Sequence, residues 1–517
     1  VRSCCMAACL KSRFLAMSLS CAASNISTSD SAVAMVRCSG RGGSGIFAAL
    51  NAVPRASKNE ERVILFMMDF GKNLGLETIR DHVGNVIIRK PASPGMENRK
   101  PIVLQSHLDM VHQKNNDTAF DFDKQGIDMY VDGDWVKARG TTLGADNGIG
   151  VATIMSILAS HDIDHPAIEA LLTIDEETGM TGAMGLQGGM LHGEILLNLD
   201  TEEDDEIDIG CAGGMDVTAT RTYNSQKIDT SFHSGFKISV KGLQGGHSGI
   251  DIHRGRGNAN KIINRLAYGH ESNGLMLATF EGGSLRNAIP RESQVTCAVP
   301  SQNKDALLTS IRQKITDIQK EFASIEPNLQ IEISDITCPD EVMSSTDQKH
   351  IISAIYAAHN GVFRMSPDIE DLVEASNNVA KIEIKNGQAK ILCLTRSSVE
   401  SSKLDVAQSL KSTFELAGFD VVFSGDYPGW TPNIHSPILN VLTSLYEKMH
   451  SQHASVVACH AGLECGILGR NYPKMDMISY GPTIKGAHSP DEKVNITSVL
   501  KFWNFTLEIL KNIPVKE

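Results

Sequence analysis

The spacing of apolar and polar positions divides this chain into stretches of different character. Residues 46–53 and 60–74 carry apolar side chains at helical spacing, and residues 83–88 read as a strand after a turn. Four short apolar runs, at 101–105, 170–174, 194–199 and 475–480, read as buried strands. Residues 148–160 are apolar nearly all round, the pattern of a buried helix. Strand-like and helix-like runs alternate to about Gly214, which predicts an α/β layer with a mostly parallel sheet.

Beyond Gly214 the period changes. Residues 236–242 and 294–299 alternate as strands do, while 258–267 and 304–322 have the spacing of amphipathic helices. Residues 379–384 and 389–395 bracket Asn386-Gly387, a strong hairpin signal. A second, α+β domain with antiparallel pairing is therefore expected over 214–403. After about Lys403 the α/β rhythm resumes. The predicted fold is α/β: a discontinuous domain over 45–213 and 404–517, with a mixed sheet flanked by helices, interrupted by the α+β domain.

Composition narrows the function. With 517 residues the chain exceeds a single ordinary core, in keeping with two domains. A net charge of -13 with no basic stripe argues against a nucleic-acid partner. No apolar run reaches the roughly 18 residues that suggest a membrane span. Five of the 11 cysteines fall in the first 38 residues and the rest are scattered without a CxxC, so neither a zinc ribbon nor a redox dithiol is indicated. Scattered thiols fit a reducing, cytoplasmic compartment. Residues 1–44 hold no acid before Asp30, are rich in Ser, Ala and Cys, and carry Arg2, Lys11, Arg13, Arg37 and Arg41. They read as an over-extended start, or alternatively as an export or organelle-targeting segment.

The candidate chemistry lies just past the apolar runs. His107 and Asp109 stand in SHLDMV, Asp146 in GADNG, Glu176 and Glu177 in DEETG, Asp200 in NLDTEE and His488 in GAHSPDE. His107, Asp146, Glu177, Asp200 and His488 offer two neutral nitrogens and three carboxylates, enough for two divalent cations if Asp146 bridges them. No cysteine sits among them, which favours an open, hydrolytic site over a closed structural zinc site. Adjacent side chains leaving a strand end diverge, so only one of Glu176 and Glu177 faces a given metal, and the other is free to act as general base. Asp109 is placed to accept the proton on the second nitrogen of His107 and fix that ring. His112, an extra imidazole nearby, reads as a supporting or surface group rather than a sixth ligand.

In order, SHLDMV, TTLGADNGIG, DEETGM, NLDTEE, CAGG, GLQGGHSG, RNAIPR, YPGW, HAGLECG and GPTIKGAHSPDE closely resemble the aminoacyl-histidine dipeptidases, a group within the zinc aminoacylase/carboxypeptidase superfamily. The resemblance runs from about Phe47 to Ile513. It implies that His107, Asp146, Glu177, Asp200 and His488 hold two zinc ions, with manganese or cobalt as alternatives. It further implies that Asp146 bridges, that Glu176 activates a water shared by the metals, and that Asp109 supports His107. The second domain would then be a lid and the contact of a homodimer. Within it, His247 and Asn287 would bind substrate or steady the oxyanion, Arg396 would anchor the substrate carboxylate, and the segment with His460, Gly462 and Glu464 would line the pocket. The implied reaction is hydrolysis of unblocked dipeptides, Xaa-His and Cys-Gly included. The rival reading is an amidohydrolase acting on N-acyl amino acids or aminoacyl conjugates.

Overall fold

A computed structural model describes residues 45–516, so the expectations for residues 1–44 lie outside the described residues. The described chain forms two compact units. The first comprises 45–209, Asn433–Val457 and 467–516, and the second Gly210–Pro432 with Ala458–Gly466.

The first unit is built on an eight-stranded mixed sheet. Its order is Glu77–Arg80, Val86–Lys90, Ile168–Thr173, Ile102–His107, Ile195–Asn198, Asp476–Ser479, Glu206–Cys211 and Ser455–Cys459. The four strands from Ile168–Thr173 to Asp476–Ser479 run parallel. Their neighbours Val86–Lys90 and Glu206–Cys211 pair antiparallel. The four apolar runs singled out in the sequence are those parallel strands. Three of them, Ile102–His107, Ile168–Thr173 and Ile195–Asn198, are buried along their whole length, as strands covered on both faces must be. Burying Ile102, Val103 and Leu104 alone removes three large aliphatic side chains from water, at about 1.5–3 kcal/mol each. Helix Ala145–Ala159 is buried nearly all round, as its composition demands. Helix Glu61–Asn73 instead turns only Val63, Ile64, Met67, Phe70 and Gly71 inward.

A small four-stranded sheet lies apart from the large one, with order Ile484–Lys485, Lys493–Asn495, Trp135–Ala138 and Met129–Asp132. Its hairpin loop between Lys485 and Lys493 carries His488.

The second unit is a nine-stranded antiparallel sheet that includes Val373–Lys385 and Gln388–Ser397. These pair through Lys385 and Gln388, leaving Asn386 and Gly387 as a two-residue turn, both at positive φ (51° and 75°). That is the geometry the Asn-Gly dipeptide favours. Phe236, Phe280, Val295, Ile351 and Phe414 belong to its core.

The boundary after the insertion falls later than the patterns suggest. Helix Glu400–Leu416 buries Val406, Ala407, Leu410 and Phe414 in the second unit's core. Strand Asp420–Tyr427 then pairs antiparallel with Gly213–Thr222 of the same unit. Residues 404–432 and 458–466 therefore belong to the second unit, because a helix followed by a strand looks alike in sequence whichever sheet it joins. No helix among the described residues is long and apolar enough to cross a membrane.

Candidate functional site

In a parallel sheet every strand delivers its carboxyl end to the same edge, where open α/β sheets bind ligands. His107 is the last residue of its strand, Glu176 and Glu177 follow Thr173 closely, and Asp200 comes two residues after Asn198. Asp146 sits at the start of helix Ala145–Ala159, where the Asp146–Asn147 peptide is cis.

These groups converge. Asp146 lies between the two imidazoles, with Oδ1 3.1 Å from His107 Nε2 and Oδ2 3.1 Å from His488 Nε2. His107 Nε2 is also 3.4 Å from Asp200 Oδ1, and His488 Nε2 is 2.8 Å from Glu177 Oε2. Candidate donor atoms of His107, Asp146 and Glu177 lie within 4.8 Å of one another. The pattern is symmetrical: one imidazole and one carboxylate on each side of a shared aspartate.

The electrostatics call for cations. Burial alone would raise the Asp146 carboxyl, but hydrogen bonds from His107 and His488 outweigh it and hold Asp146 below the usual carboxylate range. Hydrogen bonds to Asp146 and Glu177 push His488 up to about 11. Burial opposes the charged form of His107, yet Asp200, Asp109 and Asp146 together raise its pKa well above the ordinary histidine value. Glu202 is pushed up to about 8 by burial and by the nearby Asp146 and Asp200. Glu177 Oε1 is buried without a hydrogen-bond partner, a costly state for a carboxylate oxygen that coordination would relieve. The residues present fit a pair of divalent cations.

Asp109 does more than steady His107. Its Oδ1 is 3.4 Å from His107 Nδ1, and its two oxygens accept N–H groups from Glu176 (3.1 Å) and Glu177 (3.3 Å) and the Ser57 hydroxyl (2.8 Å). One buried carboxylate thus orients an imidazole and also holds the turn that bears Glu176 and Glu177. Asp175, at φ 54°, anchors the same turn by accepting from Thr178 and Thr181. His112 stacks on Phe122 at 4.2 Å and makes no contact with the ligand cluster among those described.

Two residues of the site were not picked out from sequence. Glu492 is buried, and its carboxylate accepts backbone N–H groups from Leu143 (2.7 Å), Gly144 (2.9 Å), Ala145 (2.7 Å) and Asp146 (3.3 Å). Arg55, fully buried, donates to the carbonyls of Leu108 (3.1 Å), Asp109 (3.0 Å) and Gly144 (2.5 Å). Between them these opposite charges tie the backbone beside His107, the backbone at Asp146 and the segment after His488. Glu492 stood in the GAHSPDE motif, and an acid there was a signal to ask what it accepts. Arg55 lies in no motif. Glu492→Gln would turn an NH2 group toward N–H donors, and its expected cost is about 2–3 kcal/mol. Thermal unfolding measures this, and an unchanged melting temperature would remove Glu492 as a backbone anchor.

The remaining sequence candidates lie in the second unit. Arg396 is buried and donates to Tyr427 Oη (2.8 Å). His247 Nδ1 accepts the backbone N–H of Ile250 (3.1 Å), which leaves the ring proton on Nε2, 3.3 Å from Arg396 Nη2. Two donors therefore face one another, an arrangement that suits an anionic or carbonyl oxygen. His460 donates to or accepts from Ser376 Oγ (2.8 Å), and burial together with Arg396 and His247 brings it down to about 3, so the ring is neutral. Asn287 is exposed, and its carbonyl accepts from Ser248 N (2.8 Å), next to His247. Glu464 is buried at the start of helix Glu464–Asn471, and Gly462 lies in the loop before it.

Known proteins resemble this chain along most of its length. Residues 103–512 match the peptidase family M20/M25/M40. The chain is 45% identical over 472 residues to the cytosol non-specific dipeptidase of Escherichia coli, covering 91% of this chain and 97% of that protein. It is 46% identical to the crystal structure of aminoacylhistidine dipeptidase from Vibrio alginolyticus, with a TM-score of 0.85, covering 91% of this chain and 96% of that one. The aminopeptidase PepT of Bacillus cereus shares the fold at 16% identity and a TM-score of 0.52, over 90% of this chain and 96% of the other. This chain belongs to the peptidase family M20/M25/M40.

Proposed function

We propose that this protein is a metal-dependent dipeptidase that hydrolyses unblocked dipeptides, Xaa-His among them. The observation that carries the reading is Asp146 set between His107 and His488, with Asp200 and Glu177 on either flank. His107, Asp146 and Asp200 would hold one cation, and His488, Asp146 and Glu177 the other. Imidazole and carboxylate donors without sulfur suit zinc, with manganese and cobalt as the alternatives. Bound there, divalent cations would polarise the scissile carbonyl and make water a competent nucleophile at neutral pH.

The chain's own residues do the rest. Glu176 takes the proton of the attacking water at its carboxylate and later returns it to the departing amine. Asp109 holds His107 in one orientation and fixes the turn on which Glu176 stands. In the second unit Arg396 would receive the substrate's free carboxylate, and His247 Nε2–H would donate to an oxygen of the reacting amide. Asn287, Gly462 and Glu464 are proposed to line the substrate pocket, and the unit is proposed to act as a lid and homodimer contact, both by resemblance. A cytoplasmic location is proposed from the Escherichia coli relative, whose name places that protein in the cytosol.

A panel of β-Ala-His, other Xaa-His dipeptides, Cys-Gly and acetylated amino acids, assayed with and without chelator, tests the reading. Hydrolysis of free dipeptides, lost with chelator and regained on adding zinc or manganese, is expected. Cleavage of acetylated amino acids alone would move the assignment to the amidohydrolase reading.

A further inference from the structure

A row of polar side chains crosses the eight-stranded sheet near the strand ends that carry the candidate ligands. Thr173, Gln105, Asn198, Ser479, Thr201 and Asp208 are all buried. Each one touches the next. Gln105 Nε2 donates to Thr173 Oγ1 (3.1 Å), Asn198 Nδ2 donates to Gln105 Oε1, and Ser479 Oγ donates to Asn198 Oδ1. Thr201 Oγ1 then lies 2.8 Å from Ser479 Oγ and 2.7 Å from Asp208 Oδ2. Gln105 and Asn198 each stand two residues before a candidate ligand, His107 and Asp200, and Thr201 directly follows Asp200.

The protons in this row can be counted. Asn198 Oδ1, Ser479 Oγ, Thr201 Oγ1 and Asp208 Oδ2 are four oxygens in series, making three contacts. Oxygens this close need a hydrogen between each pair. Ser479 and Thr201 carry one hydroxyl proton apiece. Asn198 cannot supply the third, since its Nδ2 is turned to Gln105 Oε1, and Gln105 in turn spends Nε2 on Thr173. With both amides turned this way, only the carboxyl is left.

We propose that Asp208 is a neutral carboxylic acid whose O–H donates to Thr201 Oγ1, heading a one-way hydrogen-bond chain that ends on Thr173. Through Thr201 and Asn198, which flank Asp200 in sequence, it acts as a positioning residue for that candidate ligand. Burial pushes the Asp208 carboxyl up to about 7 and the neighbouring acids Glu206 and Asp200 add to it, even against a Thr201 hydroxyl donating to the carboxylate. A carboxyl raised in the folded state contributes stability that is complete below the ordinary carboxylate range and is lost as pH climbs through its folded value. Ionising Asp208 removes the third proton and leaves two acceptor oxygens facing each other, so the wild type should weaken as pH rises from the ordinary carboxylate range to neutrality. The readouts below need no turnover, so this inference stands or falls separately from the dipeptidase assignment.

Asp208→Asn is the test, because its NH2 supplies the missing hydrogen at every pH. The infrared difference between wild type and D208N at pH 6 should show the carbonyl stretch of a buried protonated carboxyl, fading by pH 9. D208N should melt with the wild type at pH 4 and several degrees above it at pH 9. Absence of that band, or a D208N protein several degrees less stable at both pH values, overturns the proposal. Should D208N fail to fold, Ser479→Ala breaks the contact that keeps the proton on Asp208. The band should then fade at a lower pH in S479A than in the wild type, and fading at the same pH would equally overturn the proposal.

Discussion

Replacing Glu176 with Ala should leave both metals bound and lower kcat on a dipeptide by about 10²- to 10⁴-fold, the usual contribution of a positioned general base. The expectation separates two neighbouring acids. The Glu177 carboxylate meets His488 and keeps a buried oxygen without a partner, whereas Glu176 makes its described contact to Asp109 through its backbone N–H. That N–H survives substitution by Ala, so the turn and the Asp109–His107 pair stay in place. Metal content by elemental analysis and kcat on β-Ala-His together decide the matter. Activity within tenfold of wild type would remove Glu176 as the base, and loss of metal would make it a ligand instead.

Asp146→Ala should have the larger effect, because it strikes both halves of the site. Its two oxygens face His107 and His488 at the same distance. Without it each metal position keeps only one imidazole and one carboxylate, and the buried imidazoles lose the partner that sits between them. We expect metal content to fall below one ion per chain and turnover to drop by more than about 10⁴-fold, since the Lewis-acid and the water-activating contributions vanish together. The Leu143–Ala145 backbone remains tied to Glu492, so the fold should persist. A variant retaining two metals and measurable turnover would show that Asp146 is not shared.

These expectations draw on what the sequence already carried. Short, largely apolar runs identified the parallel strands, because strands buried on both faces lose the polar alternation of a strand with one face in water. The Asn386-Gly387 turn was legible because its backbone requirement falls on two adjacent residues. Part of the cluster followed from the strands, since His107 ends one and Glu176, Glu177 and Asp200 come within four residues of the ends of two others, whereas Asp146 and His488 stand outside the large sheet.

What escaped reading depends on pairings between distant residues. Arg55 and Glu492 act on backbone carbonyls and N–H groups, which every residue offers and no motif marks. The row from Thr173 to Asp208 draws single polar residues from five strands and, at Thr201, from the segment after one of them, each reading as an ordinary isolated polar residue until register sets them side by side. Which strands of the expected mixed sheet run antiparallel escaped for a similar reason, because strand direction is settled by pairing and not by composition. The same holds for residues 404–432, whose helix and strand join the second unit's sheet through contacts with Gly213–Thr222.

The most direct test of the central claim is diffraction from crystals of the metal-loaded protein on both sides of the zinc absorption edge. Two anomalous peaks are predicted, one touching His107 and Asp200, the other touching His488 and Glu177, with Asp146 reaching both. A single peak, or peaks elsewhere in the chain, would contradict the account.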